Sequence, residues 1–209
     1  MSSKNLAEFK DYKKLVVEIG SGDGRLLHNL GNLYDKETVF LIGIEIDKIQ
    51  YIEACSMTEK LNKKNIQFIN DSFENVFLSF NDKSIDTVIS VLPHPDYIDK
   101  THQDRWIHTY KLIYKKIKDD GYFILVTEIT DELLQPVSET DYINWKEWLV
   151  KTFNSIGFKT FRTIDNGAPL CFSSHYLDTF RNDPQRIKIL TLVTIKENKR
   201  KKRIKTVTM

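Results

Sequence analysis

Leu15-Val16-Val17-Glu18-Ile19-Gly20-Ser21-Gly22-Asp23-Gly24 is the stretch that decides the fold. A short apolar run stops at three glycines spaced two apart. Leu26, Leu27 and Leu30 then follow at helical spacing. Strand, tight turn and helix in that order hold a nucleotide-sized ligand at the edge of a parallel sheet. A dinucleotide-binding turn wants glycine at its first, third and sixth positions. Here the sixth position from Gly20 is Arg25, and the third glycine comes one residue early, at Gly24.

Outward from the turn, strands and helices alternate. Val39–Glu45 is almost continuously apolar, as a strand buried on both faces should be. Asp47 reads as the N-cap of a helix reaching about Leu61. Further strands are expected at Ile66–Ile69, Ile85–Leu92, Tyr122–Thr127, Phe158–Thr163 and Ile187–Ile195. Helices are expected at Phe73–Phe80, Gln103–Lys118 and Tyr142–Ile156, the last closed by Gly157. Trp145 and Trp148 read as packing residues of that helix rather than as a base-stacking platform. Asp119-Asp120-Gly121 reads as a turn, Glu128–Asp141 as an irregular acidic loop, and Ile164–Gln185 as irregular. The pattern predicts an α/β fold: a doubly wound, seven-stranded, mostly parallel sheet with an antiparallel edge strand.

The chain has 209 residues and a net charge of +2. That length suits one domain, expected over 1–195, followed by a basic tail over 196–209. From Lys196 onward there are seven basic residues and one acid, so the tail carries +6 and the rest of the chain −4. Such a tail is either an arm that neutralises phosphates or a solubilising end. Cys55 and Cys171 form no metal motif and no disulfide framework. No apolar run is long enough to span a membrane, and Met1–Lys14 lacks the apolar core of a signal peptide. A cytoplasmic protein with no membrane partner is the expectation.

The pattern Glu-x-Gly-x-Gly-x-Gly resembles motif I of the class I S-adenosylmethionine-dependent methyltransferases. The resemblance implies S-adenosyl-L-methionine as cofactor. It places Glu18, Gly20, Ser21, Gly22 and Gly24 around the methionine part of that cofactor. Glu45 would accept hydrogen bonds from the ribose hydroxyls. Ile46, Asp71, Ser72 and Leu92 would surround the rest of the cofactor, with Asp71-Ser72 near the adenine. The chemistry agrees, because a ribose diol needs a paired acceptor and an ionised carboxylate supplies one.

The methyl acceptor of that class sits just beyond the fourth strand. Here the segment reads Pro93-His94-Pro95-Asp96, then Lys100, His102 and Arg105. It is similar to the tRNA (guanine-N7)-methyltransferase family, which has Pro-Asp-Pro-Trp there, then basic residues opening the next helix. Thr127 matches the threonine of the family's Thr-Asp pair. The resemblance covers about Leu15–Glu128. It implies a guanine in RNA, most readily N7 in tRNA, as acceptor. It makes Asp96, His94 and Thr127 the candidate catalytic residues. Pro93, Pro95, Lys100, His102 and Arg105 become candidate substrate-binding residues. The chain departs from the family where the central aspartate is His94, the tryptophan is Asp96 and one lysine is Asp99. Two alternatives stay open: a protein or small-molecule acceptor, and a non-catalytic cofactor-binding scaffold subunit.

Overall fold

The computed structural model of the chain describes residues 12–131, 133, 135–169 and 171–198. The opening apolar run forms β1 (Lys14–Ile19), and the helix after the glycine turn is α1 (Arg25–Leu33). There follow β2 (Val39–Glu45), α2 (Lys48–Lys60), β3 (Ile66–Asn70), α3 (Phe73–Ser79) and β4 (Ile85–Val91). The second half comprises α4 (Gln103–Lys116), β5 (Ile117–Thr130), α5 (Glu139–Ile156), β6 (Lys159–Asp165), α6 (His175–Arg181) and β7 (Ile187–Ile195).

The seven strands form one sheet in the order β3-β2-β1-β4-β5-β7-β6. The first five are parallel, and β7 pairs antiparallel with both β5 and β6. The expected doubly wound sheet with antiparallel pairing at one edge is therefore present, with β7 slotted between β5 and the outermost strand β6. Every residue of β2 is buried, as its unbroken apolar run requires. One face of the sheet packs Val17, Val88, Phe123 and Leu125 against aromatic stripes of α3, α4 and α5, among them Phe77, Trp106, Tyr110 and Phe153. The other face packs Val16, Leu41 and Val126 against Leu27 and Leu30 of α1, Ala54 of α2 and Leu177 of α6.

Short-range chemistry sets the element ends. Asp47 Oδ1 accepts from the backbone N–H groups of Ile49 and Gln50, at 2.8 and 2.9 Å, and so caps α2. Gly157 ends α5 in the left-handed region, as expected. Trp145 is buried. The Trp148 indole donates to Gln103 Oε1 at 3.0 Å, which joins α5 to α4.

Three stretches differ from expectation. First, α4 stops at Lys116 instead of Lys118. The Lys196 ammonium caps its end, donating to the carbonyls of Tyr114 and Ile117, both at 2.7 Å. Lys196 is thus buried structure rather than tail; residues 199–209 of the expected tail lie outside the described residues. Second, β5 is far longer than Tyr122–Thr127. It takes in Asp119-Asp120-Gly121 as an irregularity in its pairing with β4, and at its other end Glu128, Ile129 and Thr130 pair with β7. A long antiparallel partner, invisible in local sequence, converts part of the acidic loop into strand. Third, α6 lies inside the stretch read as irregular. Its start is capped by Ser174 Oγ, which accepts from Leu177 N–H at 3.2 Å.

The last glycine of the turn is a packing residue. Gly24 has φ +77°, and a Cβ there would lie 2.5 Å from the Phe68 ring and 3.0 Å from Ala54 Cβ. The Gly24→Ala variant should lose more than about 1 kcal/mol of stability, because strain and overlap act together. A urea titration of both proteins checks this.

Candidate cofactor and acceptor site

The turn Gly20–Gly24 sits at the carboxyl ends of the parallel strands, beside the point where the strand order reverses between β1 and β4. Gly20 and Ser21 N–H donate to the Ile44 carbonyl, and Gly22 N–H donates to Glu45 Oε2 at 2.7 Å. Glu45 Oε1 accepts from Asp47 N–H at 2.8 Å. Two fixed bonds thus aim the carboxylate while leaving each oxygen a further lone pair.

Two adjoining cavities open here and share Gly20, Glu45, Val91 and Leu92 in their walls. The smaller, about 290 Å³, is mostly apolar and is walled by Ile46, Asp71, Ser72, Phe73, Ser90, Pro93, His94, Tyr97 and Tyr110, among others. The larger, about 610 Å³, is walled by Glu18, Ser21, Gly22, Asp23, Asp47, Glu53, Ser173, Ser174 and Tyr176, among others.

Of the residues expected at a cofactor, Glu18, Gly20, Ser21, Gly22, Glu45, Ile46, Asp71, Ser72 and Leu92 line one or both cavities. Gly24 lines neither; it packs on Phe68. At Gly20 an added Cβ would meet nothing within 4 Å, so the backbone borders open space. Asp71 Oδ1 accepts from Ser72 N–H and from the Asn75 amide. Those two bonds, the amide first, hold its carboxyl below the usual range. The Ser72 hydroxyl is engaged as the cap of α3, accepting from Asn75 N–H at 3.3 Å. Leu92 has φ +50°, a strained value for a side chain of this type, at the wall common to both cavities.

The acceptor candidates divide. Pro93 and His94 line the smaller cavity, while Pro95 and Asp96 do not. Asp96 is 86% exposed, in the 3₁₀ turn Pro95–Tyr97 at the rim. His94 Nδ1 accepts from Asp96 N–H at 3.3 Å, which assigns the neutral ring its hydrogen on Nε2. Lys100, His102 and Arg105 line neither cavity; all three are exposed around the start of α4. Asp99 pairs with His102 and accepts from Thr101. The hydrogen bond from His102 leads the effects that pull its carboxyl down to about 2. Thr127 is 0% exposed and lines neither cavity. Its hydroxyl has no hydrogen-bond partner among the described residues.

Several site residues escaped the sequence reading. Ser90 is one of three polar residues on β4, and Tyr110 lies among the buried residues of α4. Tyr97 donates to Glu74, and burial, then that bond, push its hydroxyl up to about 12. In the loop before α6, Cys171 and Phe172 line neither cavity; Phe172 is core, and Ser173, Ser174 and Tyr176 face the site. The Glu18 and Ser21 side chains each carry a buried oxygen with no partner among the described residues. Open glycine backbone, unmade polar bonds, an aimed carboxylate and an apolar slot together fit an adenosyl amino acid.

The sequence matches the model of the methyltransferase family Methyltransf_4, that of the tRNA guanine-N7 methyltransferases, over residues 12–166. The chain belongs to this family. It is a class I S-adenosylmethionine-dependent methyltransferase. No curated protein matches the sequence. Solved structures share the fold. An antibiotic-related methyltransferase is 18% identical, with a TM-score of 0.63 over 93% of this chain and 94% of its own. The geranyl diphosphate C-methyltransferase of Streptomyces coelicolor A3(2), in complex with S-adenosyl-L-homocysteine, is 10% identical, with a TM-score of 0.61 over 88% and 72%. The [4+2]-cyclase SpnF is 14% identical, with a TM-score of 0.62 over 90% and 77%. At these identities the likeness shows the fold alone. Among the described residues of the methyltransferase, no helix is long and apolar enough to cross a membrane.

Glu128 adds a pH dependence. Burial pushes its carboxyl up to about 7, and Oε2 has no partner among the described residues. The folded state therefore holds a proton that the unfolded chain releases near pH 4.5. Its stabilising effect is complete below that value and is lost as pH rises through about 7. Between roughly pH 5 and 8, Glu128→Gln should flatten the fall in unfolding free energy, by on the order of 1–3 kcal/mol. Denaturant titrations of both proteins at the two ends of that range check the sign.

Proposed function

We propose that this methyltransferase modifies N7 of a guanine in tRNA, as a cytoplasmic enzyme with RNA as its partner. The observation behind this reading is the extent of the family match. Residues 12–166 take in the glycine turn and the whole acceptor segment Pro93–Arg105.

The residues suit that chemistry. Glu45 would hold the ribose diol with its two remaining lone pairs, and Gly20 and Gly22 would let the backbone approach the methionine part. Ile46, Phe73 and Leu92 would flank the adenine, with Asp71 beside it. Bound S-adenosylmethionine supplies an electrophilic methyl group on a sulfonium. Guanine N7 carries an in-plane lone pair, so no general base is needed and the protein's work is alignment. His94, with Nε2–H available at the cavity wall, would donate to guanine O6. Asp96, at the rim, would accept from the N1 and amino protons. Pro93 and Pro95 restrict the loop that carries both. Lys100, His102 and Arg105, exposed beside it, would meet phosphates. Thr127, enclosed behind the site, would support β5 rather than touch the base.

A protein or small-molecule acceptor is the second reading, favoured by the acidic wall of the larger cavity and by the exposure of Asp96. A scaffold role without catalysis predicts cofactor binding and no transfer. The Asp96→Ala variant separates these. On tRNA it should lose at least about tenfold in transfer rate while its affinity for S-adenosylmethionine stays within about twofold. Parallel loss of cofactor affinity, or unchanged transfer, would rule out the acceptor-side role. The assay is methyl transfer from labelled donor alongside calorimetric cofactor binding.

A further inference from the structure

The loop 93–99 leaves the end of β4 and borders the smaller cavity through Pro93, His94 and Tyr97. Its two prolines stiffen it from within but do not fix where it sits. Its backbone bonds are local. Tyr97 N–H donates to the His94 carbonyl, and Ile98 and Asp99 N–H donate to the Pro95 carbonyl, all at 2.9 Å. The two ends are tied to the body of the protein. Leu92 N–H donates to the Val126 carbonyl at 2.8 Å, and the Trp106 indole donates to the Asp99 carbonyl at 2.7 Å. Between those ends, among the described residues, one hydrogen bond reaches out of the loop: the Tyr97 hydroxyl donates to Glu74 Oε1. The Tyr97 ring also packs edge-on against Phe73, with centroids 4.9 Å apart.

Both partners of Tyr97 belong to the first turn of α3, directly after Asp71-Ser72. That turn is fixed independently of the loop. The Ser72 hydroxyl caps it, and Asp71 holds the Asn75 amide. Phe73 and Glu74 also line the smaller cavity. One short piece of backbone therefore faces the cavity and, through two consecutive side chains, grips the loop that carries His94 and Asp96. The Tyr97 hydroxyl, pushed up to about 12 by burial and then by its bond to Glu74, keeps its proton and donates throughout the neutral range.

Methyl transfer is an in-line displacement. The acceptor atom bonds to carbon as the C–S bond breaks, and the bonding pair stays on sulfur. A misplacement of roughly 1 Å can cost on the order of a hundredfold in rate. A loop tied only at its ends has freedom in its middle, where His94 and Asp96 lie. We infer that Tyr97 is a positioning residue: its bond to Glu74 and its contact with Phe73 latch the acceptor loop to the α3 wall of the smaller cavity, so that donor and acceptor share one frame. Tyr97 acts through the loop rather than on the reacting atoms. The inference rests on the reading that the acceptor meets Pro93–Asp96. It does not depend on that acceptor being tRNA.

Two measurements on the full chain test it. The first is amide hydrogen exchange read by mass spectrometry. Tyr97→Phe keeps the ring against Phe73 and removes only the hydroxyl. It should speed exchange over residues 93–99 by at least about tenfold while leaving α3 and β4 as in the wild type. The second is methyl transfer from labelled S-adenosylmethionine to total tRNA, alongside calorimetric cofactor binding. Tyr97→Phe should lower kcat at least about tenfold, with cofactor affinity within about twofold of wild type. Glu74→Ala should match it, and the double variant should be no slower than either single one, because both changes remove the same bond. Glu74→Gln keeps an oxygen that can accept the bond, and should recover at least about threefold over Glu74→Ala. Unchanged exchange over 93–99 in Tyr97→Phe overturns the latch. Faster exchange with wild-type kcat, or losses that multiply in the double variant, overturns the positioning role. A wild-type chain that methylates no tRNA defeats the tRNA reading alone, and the exchange result still decides the latch.

Discussion

Three hydrogen bonds fold the glycine turn over the end of β2. Gly20 and Ser21 N–H share the Ile44 carbonyl at 2.9 and 3.0 Å, and Gly22 N–H reaches Glu45 Oε2 at 2.7 Å. The bonds require the backbone to double back with φ of +67° at Gly20 and +53° at Gly22, which excludes most side chains there. The same contact does a second job. By holding one oxygen of Glu45 it orients the carboxylate at the boundary of the two cavities, so the turn that ends β1 also sets the acceptor geometry at the end of β2. With β1 central between β2 and β4, the site lies at the reversal of strand order, where an open α/β sheet leaves a crevice.

Most of this framework is legible in the chain because it depends on local or periodic signals. The apolar runs of β1 and β2, the cap at Asp47 and the stop at Gly157 each act within a few residues, and each appears close to its expected place. What escaped depends on distant partners. Glu128–Thr130 reads as an acidic loop until β7 lies beside it. Lys196 reads as the start of a basic tail until its ammonium is seen to close α4. The seven-residue α6 is too short to declare a period, and only Ser174 followed by Leu177 marks it. At the site, the turn at Gly20 was readable from spacing, and Glu18 and Glu45 from the family resemblance. Ser173, Ser174 and Tyr176 were not, because a distant loop brings them to the cavity.

Charge is divided across the molecule in a way that suits an enzyme with two unlike ligands. The cavity next to the glycine turn is acidic and includes buried Glu18, while the exposed segment opening α4 offers Lys100, His102 and Arg105. A cationic small molecule and a polyanionic acceptor would therefore approach different surfaces and meet at Leu92–His94. That meeting point is also where the chain departs from its family, with His94 and Asp96 in place of an aspartate and a tryptophan. Under the proposed function the exposed Asp96 and the cavity-lining His94 would carry the acceptor chemistry between them, at the end of β4.

The central claim is methyl transfer to guanine N7 in tRNA, and nucleoside analysis tests it directly. The full chain is incubated with labelled S-adenosylmethionine and total RNA from the source cell, and the RNA is then digested to nucleosides. The account predicts label in 7-methylguanosine recovered from the tRNA fraction. Label in another nucleoside, or none in any RNA from a chain that binds the cofactor, would contradict it.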